Sequence, residues 1–286
     1  MVKAWIEAMR LRTLPVSAAG VVCGCSFAVS DGCFKWVAAA LCLLFALLCQ
    51  TASNFANEYY DFKAGRDRSG REGPRRGVTE GDITAEAMKR AIYGTLIAAA
   101  AVGLCLTAFG GLWLIPIGAL IGVGALAYSA GPYPLSTHCL GEVAVVLFFG
   151  IVPVNLTYYV QSLAWSVPVA MASVAIGLMG ANVLIVNNTR DIPDDRSVGK
   201  HTLATVFGVR AMAGLYTANA LVAAALTWNV WERAGGAWWI VGAAYLAAAA
   251  AVAVRLVRAK GARLNPLLGV TSMLMFGYAV LMLAVS

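Results

Sequence analysis

Composition places this 286-residue chain in a membrane, since 60% of its residues are hydrophobic, only 12% are charged and the mean hydropathy is +0.77. Soluble domains carry about twice that charged fraction, which excludes a soluble globular fold and predicts a polytopic membrane protein. The net charge of +7 does not indicate nucleic-acid binding, because most of the basic residues fall in short segments between apolar runs. We therefore expect no nucleic-acid partner, and no feature of the sequence indicates a protein partner.

Nine apolar runs of membrane-spanning length are predicted to be helices. In chain order they are 13–30, 36–60, 89–109, 112–129, 141–160, 165–187, 209–231, 237–255 and 265–285. The sequence predicts an all-α fold of two tandem four-helix halves followed by a ninth helix, in a single integral-membrane domain over residues 1–286. Polar residues concentrate in two loops, roughly 61–88 and 188–208, which follow the second and sixth helices.

The distribution of basic residues predicts the orientation of these helices. With the N-terminus in the cytoplasm, all of the 21 Lys and Arg residues except Lys35 and Arg233 fall in cytoplasmic segments. Both polar loops then lie at the cytoplasmic side, where their bases meet the anionic headgroups of the lipid bilayer. We expect the bacterial plasma (inner) membrane as the location.

A short pattern, an asparagine followed four positions later by an aspartate, occurs twice, each time where a long apolar run ends. The two asparagines are 130 positions apart, as are the two aspartates, and a further acid follows each copy. The six residues are Asn57, Asp61, Asp67, Asn187, Asp191 and Asp195. Residues four apart share one face of a helix, so each asparagine is expected to lie beside its aspartate.

These acids are predicted to bind Mg²⁺. Carboxylates at a membrane face and at the negative end of a helix dipole are unfavourable unless a cation is bound there. Mg²⁺ prefers oxygen ligands and joins carboxylates to substrate phosphates, so two facing copies predict a site for a diphosphate. A helix cap or an interfacial anchor explains one copy equally well, but two copies on the same side of the membrane favour the metal site.

Basic residues near the two patterns are candidates for the diphosphate site, because Arg and Lys both bind phosphate oxygens. They are Arg66, Arg71, Arg75 and Arg76 after the first pattern, and Arg190 and Lys200 in the second. We predict that Arg76, Arg190 and Lys200 bind the anion. The neighbouring Arg68 and Arg196 are interpreted as solvated or lipid-facing, and Asp194 as a solvated loop acid.

Four stretches in chain order carry a family resemblance: RLRTLP at 10–15, NEYYDFKAGRDRSGREGPRRGVTEGDIT at 57–84, YSAGPYPLSTHCLGE at 128–142 and NNTRDIPDDRSVGKHTLA at 187–204. The second resembles the first signature of the UbiA superfamily of intramembrane aromatic prenyltransferases. The fourth is similar to the NNxRDxxxDxxxGKxTLA pattern of the branch that uses 1,4-dihydroxy-2-naphthoate in menaquinone biosynthesis. One position departs from the family, since Glu58 stands where the family usually has Asp.

The resemblance implies roles for individual residues. The acids Asp61, Asp67, Asp191 and Asp195 would be catalytic and, with Asn57 and Asn187, would bind Mg²⁺. The implied substrate-binding residues are Arg12, Asn54, Arg76, Tyr128, Arg190 and Lys200. The aromatic faces of Tyr59, Tyr60, Tyr128 and Tyr133 are candidates for stabilising a carbocation-like prenyl group, although packing is the commoner role of such residues.

The reaction implied by the resemblance is a Mg²⁺-dependent transfer of a polyprenyl group from polyprenyl diphosphate to 1,4-dihydroxy-2-naphthoate. Loss of CO₂ then gives demethylmenaquinone. One alternative is a related prenyltransferase that uses 4-hydroxybenzoate as acceptor, or phytyl diphosphate as donor. Another, from a different class, is a membrane transporter, since two tandem halves with matching polar residues also describe many carriers. The position of the acids at helix ends, rather than at the bilayer midplane, disfavours a transporter.

Overall fold

The fold is known from a computed structural model that describes residues 2–70 and 73–286. Its α-helices are α1 Val2–Met9, α2 Leu14–Ser30, α3 Trp36–Lys63, α4 Ala85–Gly110, α5 Leu114–Ala127, α6 Gly141–Val145, α7 Val152–Ser162, α8 Val167–Arg190, α9 Ile192–Ser197, α10 Leu203–Leu226, α11 Trp228–Ala234, α12 Trp239–Arg258 and α13 Asn265–Ala284. A π-helical turn, Val146–Ile151, joins α6 to α7. Short 3₁₀ turns occupy Leu11–Thr13, Leu135–Thr137 and Gly261–Leu264.

The predicted all-α membrane architecture is confirmed. Within the described residues, eight helical segments are long and apolar enough to cross a membrane, and α5 is a shorter apolar helix at the predicted fourth position. With 14 residues, α5 is about 21 Å long, less than the ~30 Å hydrocarbon core of a bilayer. Over residues 2–70 and 73–286, the only β-type pairing is an isolated bridge between His138 and His201.

One helix lies outside the predicted runs, and two others begin earlier than predicted for local reasons. Helix α1 was not predicted, and its Ala4 and Ala8 belong to one buried cluster with Phe55 of α3. Helix α4 begins at Ala85 rather than 89, because the Thr84 hydroxyl caps it by accepting from the Ala87 amide. Helix α10 begins at Leu203 rather than 209, after a capping box between Thr202 and Thr205, and it bends at Gly208, whose φ is +77°.

Close helix contacts surround α8, the most deeply buried span. A Cβ at Gly150 would lie 2.4 Å from backbone atoms of Gly177, and a Cβ at Gly177 would lie 2.6 Å from the Val146 carbonyl oxygen. On α2, a Cβ at Gly24 would lie 2.6 Å from the Val154 carbonyl oxygen. Glycine at these positions lets helix backbones approach one another, as small residues do in membrane bundles.

Buried polar side chains also join the helices. The Asn219 amide donates to Asn182 Oδ1 at 3.0 Å, and the Asn182 amide donates to the Tyr216 carbonyl at 3.0 Å, which links α8 to α10. Trp231 Nε1 donates to the Tyr278 hydroxyl at 2.6 Å and links α11 to α13. Such groups need partners because an unsatisfied polar atom in an apolar interior is costly.

Helices α3 and α8 both end at one face of the molecule, where the two polar loops begin. We call this the loop face. Arg68 Nη2 in the first loop donates to the Ser197 carbonyl in the second at 3.3 Å. The Cys139 amide, in the connection between α5 and α6, donates to the His201 carbonyl at 3.1 Å. The fold therefore brings three segments that are distant in sequence to the ends of α3 and α8.

Candidate active site

A cavity of about 670 Å³ opens among the helices beneath the loop face. We call it the main cavity. Its polar end is lined by Arg10, Arg12, Asn54, Asn57, Arg76, Tyr128, Asn187, Arg190, Asp191 and Lys200. Its deeper walls are mostly apolar and include Phe45, Leu106, Leu114, Ile117, Phe148 and Val160. The main cavity thus joins a charged end to a long apolar interior.

The main cavity reaches far into the bundle. Cys42 and Asn57 both line it and lie fifteen residues apart on α3, which corresponds to about 22 Å of helix. One face of α5 borders it throughout, with Leu114, Ile117 and Ile121 at helical spacing below Tyr128. No residue of α5 is buried. Part of the inner face of α5 borders open space, as at Gly118, where nothing lies within 4 Å of an ideal Cβ, whereas Gly124 packs closely against the Phe148 ring.

Asn57 is the centre of the hydrogen-bond network at the first motif. Its Oδ1 accepts from Arg10 Nη2 and, at 3.1 Å, from Arg76 Nη2. Its Nδ2 donates to Asp61 Oδ2 and to Ser129 Oγ, both at 3.0 Å. An amide side chain has two N–H donors and two acceptor lone pairs, so Asn57 uses its full capacity. Four segments of the chain meet at this one side chain.

The second motif is organised by Arg190, which is 2% exposed. Its Nε and Nη2 donate to the two carboxylate oxygens of Asp191 at 2.7 and 2.8 Å, a bidentate pair. Nη2 also donates to Asn187 Oδ1 at 2.9 Å, and Nη1 donates to Asn265 Oδ1 at 3.0 Å. The predicted Asn187–Asp191 pairing is long, at 3.5 Å. Arg190 thus lies between the asparagine and the aspartate, whereas Asn57 contacts Asp61 directly.

Every motif acid is held by a base. Besides Asp191 with Arg190, Asp61 Oδ1 pairs with Arg66 Nε at 2.9 Å. Asp67 lies 3.4 Å from Arg76 Nε, and Asp195 lies 3.3 Å from Lys200 Nζ. All four carboxylates are at most 7% exposed, and buried charges require such pairing. The charge of each motif acid is therefore offset by that of its own basic partner.

The two loops meet around a second, smaller cavity of about 20 Å³. It is lined by Asp61, Arg66, Asp67, Arg68, Asp194, Asp195, Ser197, Val198 and Lys200. Three of the four motif acids therefore come together here, and Lys200 borders both cavities. Asp191 and the two motif asparagines line the main cavity instead. Asp194 and Arg68, interpreted from the sequence as solvated residues, also border the small cavity.

The donor set around the small cavity fits a hard divalent cation. In the part of the chain that the structure describes, no three Asp, Glu, His or Cys side chains converge on one point at ligand distance. The carboxylates instead face their basic partners. The available ligands are nonetheless all oxygen atoms, which is the chemistry that Mg²⁺ prefers. A cation entering here would exchange base contacts for metal contacts at the same carboxylates.

The N-terminal arginine that reaches the first motif is Arg10, which the sequence analysis did not select. Arg10 has a left-handed backbone, with φ +53° and ψ +53°, at the turn between α1 and the Leu11–Thr13 helix. This turn directs its guanidinium to Asn57. The predicted Arg12 is exposed and lines the rim of the main cavity. The RLRT stretch identified the segment. Which of its two arginines reaches the motif depends on the left-handed turn at Arg10, and no glycine marks that turn in the sequence.

Other predicted residues lie at different distances from the polar end. Asn54 Nδ2 donates to the Met9 carbonyl at 3.0 Å and so fixes the end of α1. Arg75 borders the main cavity, and Arg71 lies outside the described residues. Of the four tyrosines, Tyr128 lines the main cavity, whereas Tyr59, Tyr60 and Tyr133 border neither of the two cavities. Burial, and then the negative charge of Glu142, raise the pKa of Tyr128, so its phenol stays protonated.

Two buried glutamates stand behind the motifs. Glu142 Oε1 accepts from Asn188 Nδ2 at 3.0 Å, and Asn188 lines the main cavity beside Asn187. Glu58, which follows Asn57 in sequence, accepts from the Val78 amide at 3.0 Å and borders neither cavity. The resemblance had marked Glu58 only as a departure from the family. Its position on α3, turned from the Asn57–Asp61 face, follows from helical geometry.

Comparisons with known proteins agree with this arrangement. The chain is 36% identical over 278 residues to a 1,4-dihydroxy-2-naphthoate octaprenyltransferase of Mycobacterium tuberculosis, covering 96% of this chain and 94% of the relative. It is 36% identical over 214 residues to the Escherichia coli protein of the same name, covering 72% and 69%. Because the match to the Mycobacterium tuberculosis protein covers 96% of this chain, it includes the segments that carry both motifs.

Solved structures share the fold at low sequence identity. A UbiA homolog from Archaeoglobus fulgidus, bound to DMAPP and Mg²⁺, superposes with a TM-score of 0.70 at 14% identity and covers 99% of both chains. A UbiA homolog from Aeropyrum pernix gives 0.68 at 16% identity, covering 94% of this chain and 96% of that one. The model of the UbiA prenyltransferase family matches residues 17–282. With two paired acid–base motifs at the mouth of an apolar cavity, this chain belongs to the UbiA prenyltransferase family.

Proposed function

We propose that this protein transfers a polyprenyl group from polyprenyl diphosphate to 1,4-dihydroxy-2-naphthoate, with loss of CO₂, to give demethylmenaquinol, the reduced form of demethylmenaquinone. The observation that carries the proposal is the main cavity, in which the two motif asparagines and Asp191 line one end with Arg76, Arg190 and Lys200, while mostly apolar side chains line the rest. This division matches a donor with an anionic head and a long hydrocarbon tail. Relatives at 34–36% identity are named for the naphthoate reaction.

A cation would add to the attraction of this region for the diphosphate head. The four motif acids, which lie at the polar end and around the adjoining small cavity, are each paired with a base: Asp61 with Arg66, Asp67 with Arg76, Asp191 with Arg190 and Asp195 with Lys200. These pairs largely neutralise each other's charge. We propose that the four acids, with Asn57 and Asn187, hold Mg²⁺. When bound, Mg²⁺ supplies the positive charge that stabilises the departing diphosphate.

The chain's own residues then bind and orient both substrates. Arg76, Arg190 and Lys200 bind phosphate oxygens as the allylic C–O bond breaks, and the electron pair of that bond leaves with the diphosphate. The apolar walls of the main cavity hold the prenyl tail and exclude water from the carbocation-like carbon. The electron-rich acceptor ring forms the new C–C bond, and the electrons of its carboxylate C–C bond restore aromaticity as CO₂ leaves. Tyr128, protonated and beside Ser129, contacts the substrates at this end.

The protein is integral to the membrane, and we propose that its loop face is cytoplasmic, in a bacterial plasma membrane. The basic residues of the two loops support this orientation through the positive-inside rule. We also propose that residues 1–286 act as one domain, because the family match spans 17–282 without a break. The transporter hypothesis does not fit membership of a prenyltransferase family, nor acids placed at helix ends.

Product analysis tests the proposed reaction. Purified protein in detergent is incubated with Mg²⁺, 1,4-dihydroxy-2-naphthoate and octaprenyl diphosphate, beside Asp61→Asn, Asp191→Asn and an EDTA control. We expect a prenylated, decarboxylated naphthoquinol from the wild type and at least a hundredfold less from each control, because each loses a cation ligand or the cation (roughly 3 kcal/mol or more). If 4-hydroxybenzoate is prenylated and the naphthoate is not, the proposed acceptor is wrong. If phytyl diphosphate is a donor and octaprenyl diphosphate is not, the proposed donor is wrong.

A further inference from the structure

Glu58 lies inside the first motif but faces away from it. Successive residues of a helix are rotated by about 100°, so Glu58 leaves the face shared by Asn57 and Asp61. Its side chain is 1% exposed and borders neither the main cavity nor the small one. Its Oε1 accepts from the Val78 amide at 3.0 Å. A carboxylate in this position contacts the loop backbone rather than the site that the motif acids surround.

The loop held by Glu58 carries Arg76. The segment from 76 to 83 is a compact turn, in which the Glu80 amide donates to the Arg76 carbonyl at 2.9 Å and the Ile83 amide donates to the Gly77 carbonyl at 3.0 Å. Val78 and Ile83 are 5% and 4% exposed and pack in one cluster with residues of α1 and α3. The Val78 amide is therefore a fixed point two residues from Arg76.

Arg76 is the base that joins the two parts of the first motif. Its Nη2 donates to Asn57 Oδ1 at 3.1 Å, and its Nε lies 3.4 Å from Asp67 Oδ2. The side chain is 8% exposed and lines the polar end of the main cavity. Because a guanidinium binds phosphate oxygens through a fixed fork of donors, its position determines which oxygens it reaches. A shift of the backbone at Val78 would therefore displace the guanidinium of Arg76.

We propose that Glu58 is a positioning residue that fixes the Arg76 loop for diphosphate binding, and that it is not a ligand of the metal. The inference rests on the proposed function only in assigning Arg76 to the diphosphate. The glutamate arm is one methylene longer than that of the aspartate usual in the family, and in this chain the longer arm spans the gap to the Val78 amide. The first motif then binds cations through Asp61 and Asp67, with Asn57, and not through Glu58.

Two substitutions at Glu58 distinguish a positioning residue from a metal ligand. If Glu58 is a positioning residue, Glu58→Asp impairs binding more than Glu58→Gln does; if it is a metal ligand, the order is reversed. Glu58→Gln keeps an oxygen that accepts from the Val78 amide but removes the charge that a Mg²⁺ ligand needs. Glu58→Asp keeps the charge but shortens the arm. The readouts are the dissociation constant of geranyl thiolodiphosphate, a donor analogue that does not react, and the Mg²⁺ concentration that gives half-maximal binding.

We expect Glu58→Gln to bind the analogue within about twofold of wild type, because an amide oxygen accepts as the carboxylate does. Glu58→Asp should weaken binding about tenfold, because the buried Val78 amide loses its acceptor. The half-maximal Mg²⁺ concentration should stay unchanged in both variants, whereas it should rise in Asp61→Asn. In an Arg76→Ala background, Glu58→Asp should add no further loss, because the loop then has no guanidinium to position.

A higher Mg²⁺ requirement in Glu58→Gln, with near-normal behaviour of Glu58→Asp, would overturn the proposal. Glu58→Gln is nearly isosteric, so it gives this answer even if Glu58→Asp does not fold. Full additivity of Glu58→Asp and Arg76→Ala would overturn it as well. Analogue binding requires no aromatic acceptor. If the wild type binds the analogue but yields no prenylated naphthoquinol, the proposed acceptor is wrong, and the role of Glu58 is still decided by the two variants.

Discussion

At the scale of single residues, Asn57 shows why an amide rather than a carboxylate occupies the motif. Its oxygen accepts from two arginines, while its nitrogen donates to Asp61 and to Ser129. A carboxylate accepts but does not donate. Asn265, in contrast, offers its oxygen to Arg190, a contact that a carboxylate also makes. The same chemical change at these two positions therefore has different consequences.

We predict that Asn57→Asp lowers prenyl transfer at least about tenfold, because a second carboxylate would face Asp61 without the N–H that now separates them. Asn265→Asp, the matched change, should cost clearly less, because its contact with Arg190 becomes a charge-assisted hydrogen bond. Turnover and the half-maximal Mg²⁺ concentration of both variants check this. Equal losses in the two variants would mean that the donors of Asn57 are unimportant.

Arg10 combines a side chain that lines the main cavity with a strained backbone. A left-handed conformation costs a non-glycine residue about 1–2 kcal/mol. Arg10→Ala and Arg10→Gly both remove the guanidinium, so we expect both to weaken binding of geranyl thiolodiphosphate to a similar extent. The glycine variant should be more stable than the alanine variant by about 1 kcal/mol and should unfold at a higher temperature, because glycine adopts positive φ without strain. Thermal unfolding in detergent measures this difference, and an alanine variant of equal stability would show that the strain is absent.

At the scale of elements, the junction between the π-helical turn and α8 depends on two glycines. A Cβ at Gly150 would meet backbone atoms of Gly177 and the Ser173 carbonyl, all 2.4 Å away. Backbone atoms in the middle of a packed helix do not move aside as a flexible side chain does. The junction therefore tolerates no added atom, whereas Gly214 on α10 has nothing within 4 Å of its ideal Cβ.

We predict that Gly150→Ala destabilises the protein by about 1–3 kcal/mol through overpacking. Gly214→Ala, the matched change on an exposed helix position, should be neutral or stabilising by up to about 1 kcal/mol, because alanine favours helix. Unfolding midpoints of both variants in the same detergent give the comparison. A Gly150→Ala variant as stable as Gly214→Ala would contradict the close approach of the π-helical turn and α8.

Helix prediction from the sequence succeeded where a long apolar run was the signal. The runs 36–60 and 165–187 correspond to α3 and α8, and both motifs lie at the ends of these helices. The prediction failed where amphipathic or capping signals mattered. Helix α1 is too short and polar for an apolar-run criterion, and the start of α10 depends on the hydrogen bonds of Thr202 with Thr205. The π-helical turn has no sequence signal, because its distinguishing feature is a hydrogen-bond register.

Site residues were likewise predictable only in part. The repeated spacing identified the acids, and the structure brings Asp61, Asp67 and Asp195 to one small cavity. Spacing along the chain does not show which base each acid meets. Arg66 pairs with Asp61, although the sequence analysis had not placed it among the selected anion ligands. The partners of Glu58 and Glu142 depend on loops that return from distant parts of the chain, which local patterns do not encode.

At the scale of the whole molecule, the depth of the main cavity makes the tail of the donor a determinant of specificity. Gly118 lines it on α5, ten residues and therefore about 15 Å below Tyr128. No atom lies within 4 Å of an ideal Cβ at Gly118, so a larger side chain fits without a clash. An extended chain advances about 1.2 Å per main-chain bond, so two isoprene units reach only about 10 Å.

We predict that Gly118→Phe lowers kcat/KM for octaprenyl diphosphate at least about tenfold while geranyl diphosphate stays within about twofold, because only the longer tail reaches the new ring. Val123→Phe places the same ring on the outward side of α5, where Val123 is 61% exposed, and should change kcat/KM for neither donor. Competition between the two donors for one enzyme sample measures the ratio directly. An unchanged ratio in Gly118→Phe would place the tail elsewhere.

Helix α5 has a consequence for how such enzymes diverge. None of its residues is fully buried, and at Gly118, on the face that borders the main cavity, no atom lies within 4 Å of an ideal Cβ, so packing places little demand on that position. Mutations along its inner face reshape the space for the tail, while the acids and bases at the ends of α3 and α8 remain under constraint. Selection can thus match the enzyme to a quinone of another length by drift in one helix, leaving the chemistry and the scaffold inherited unchanged.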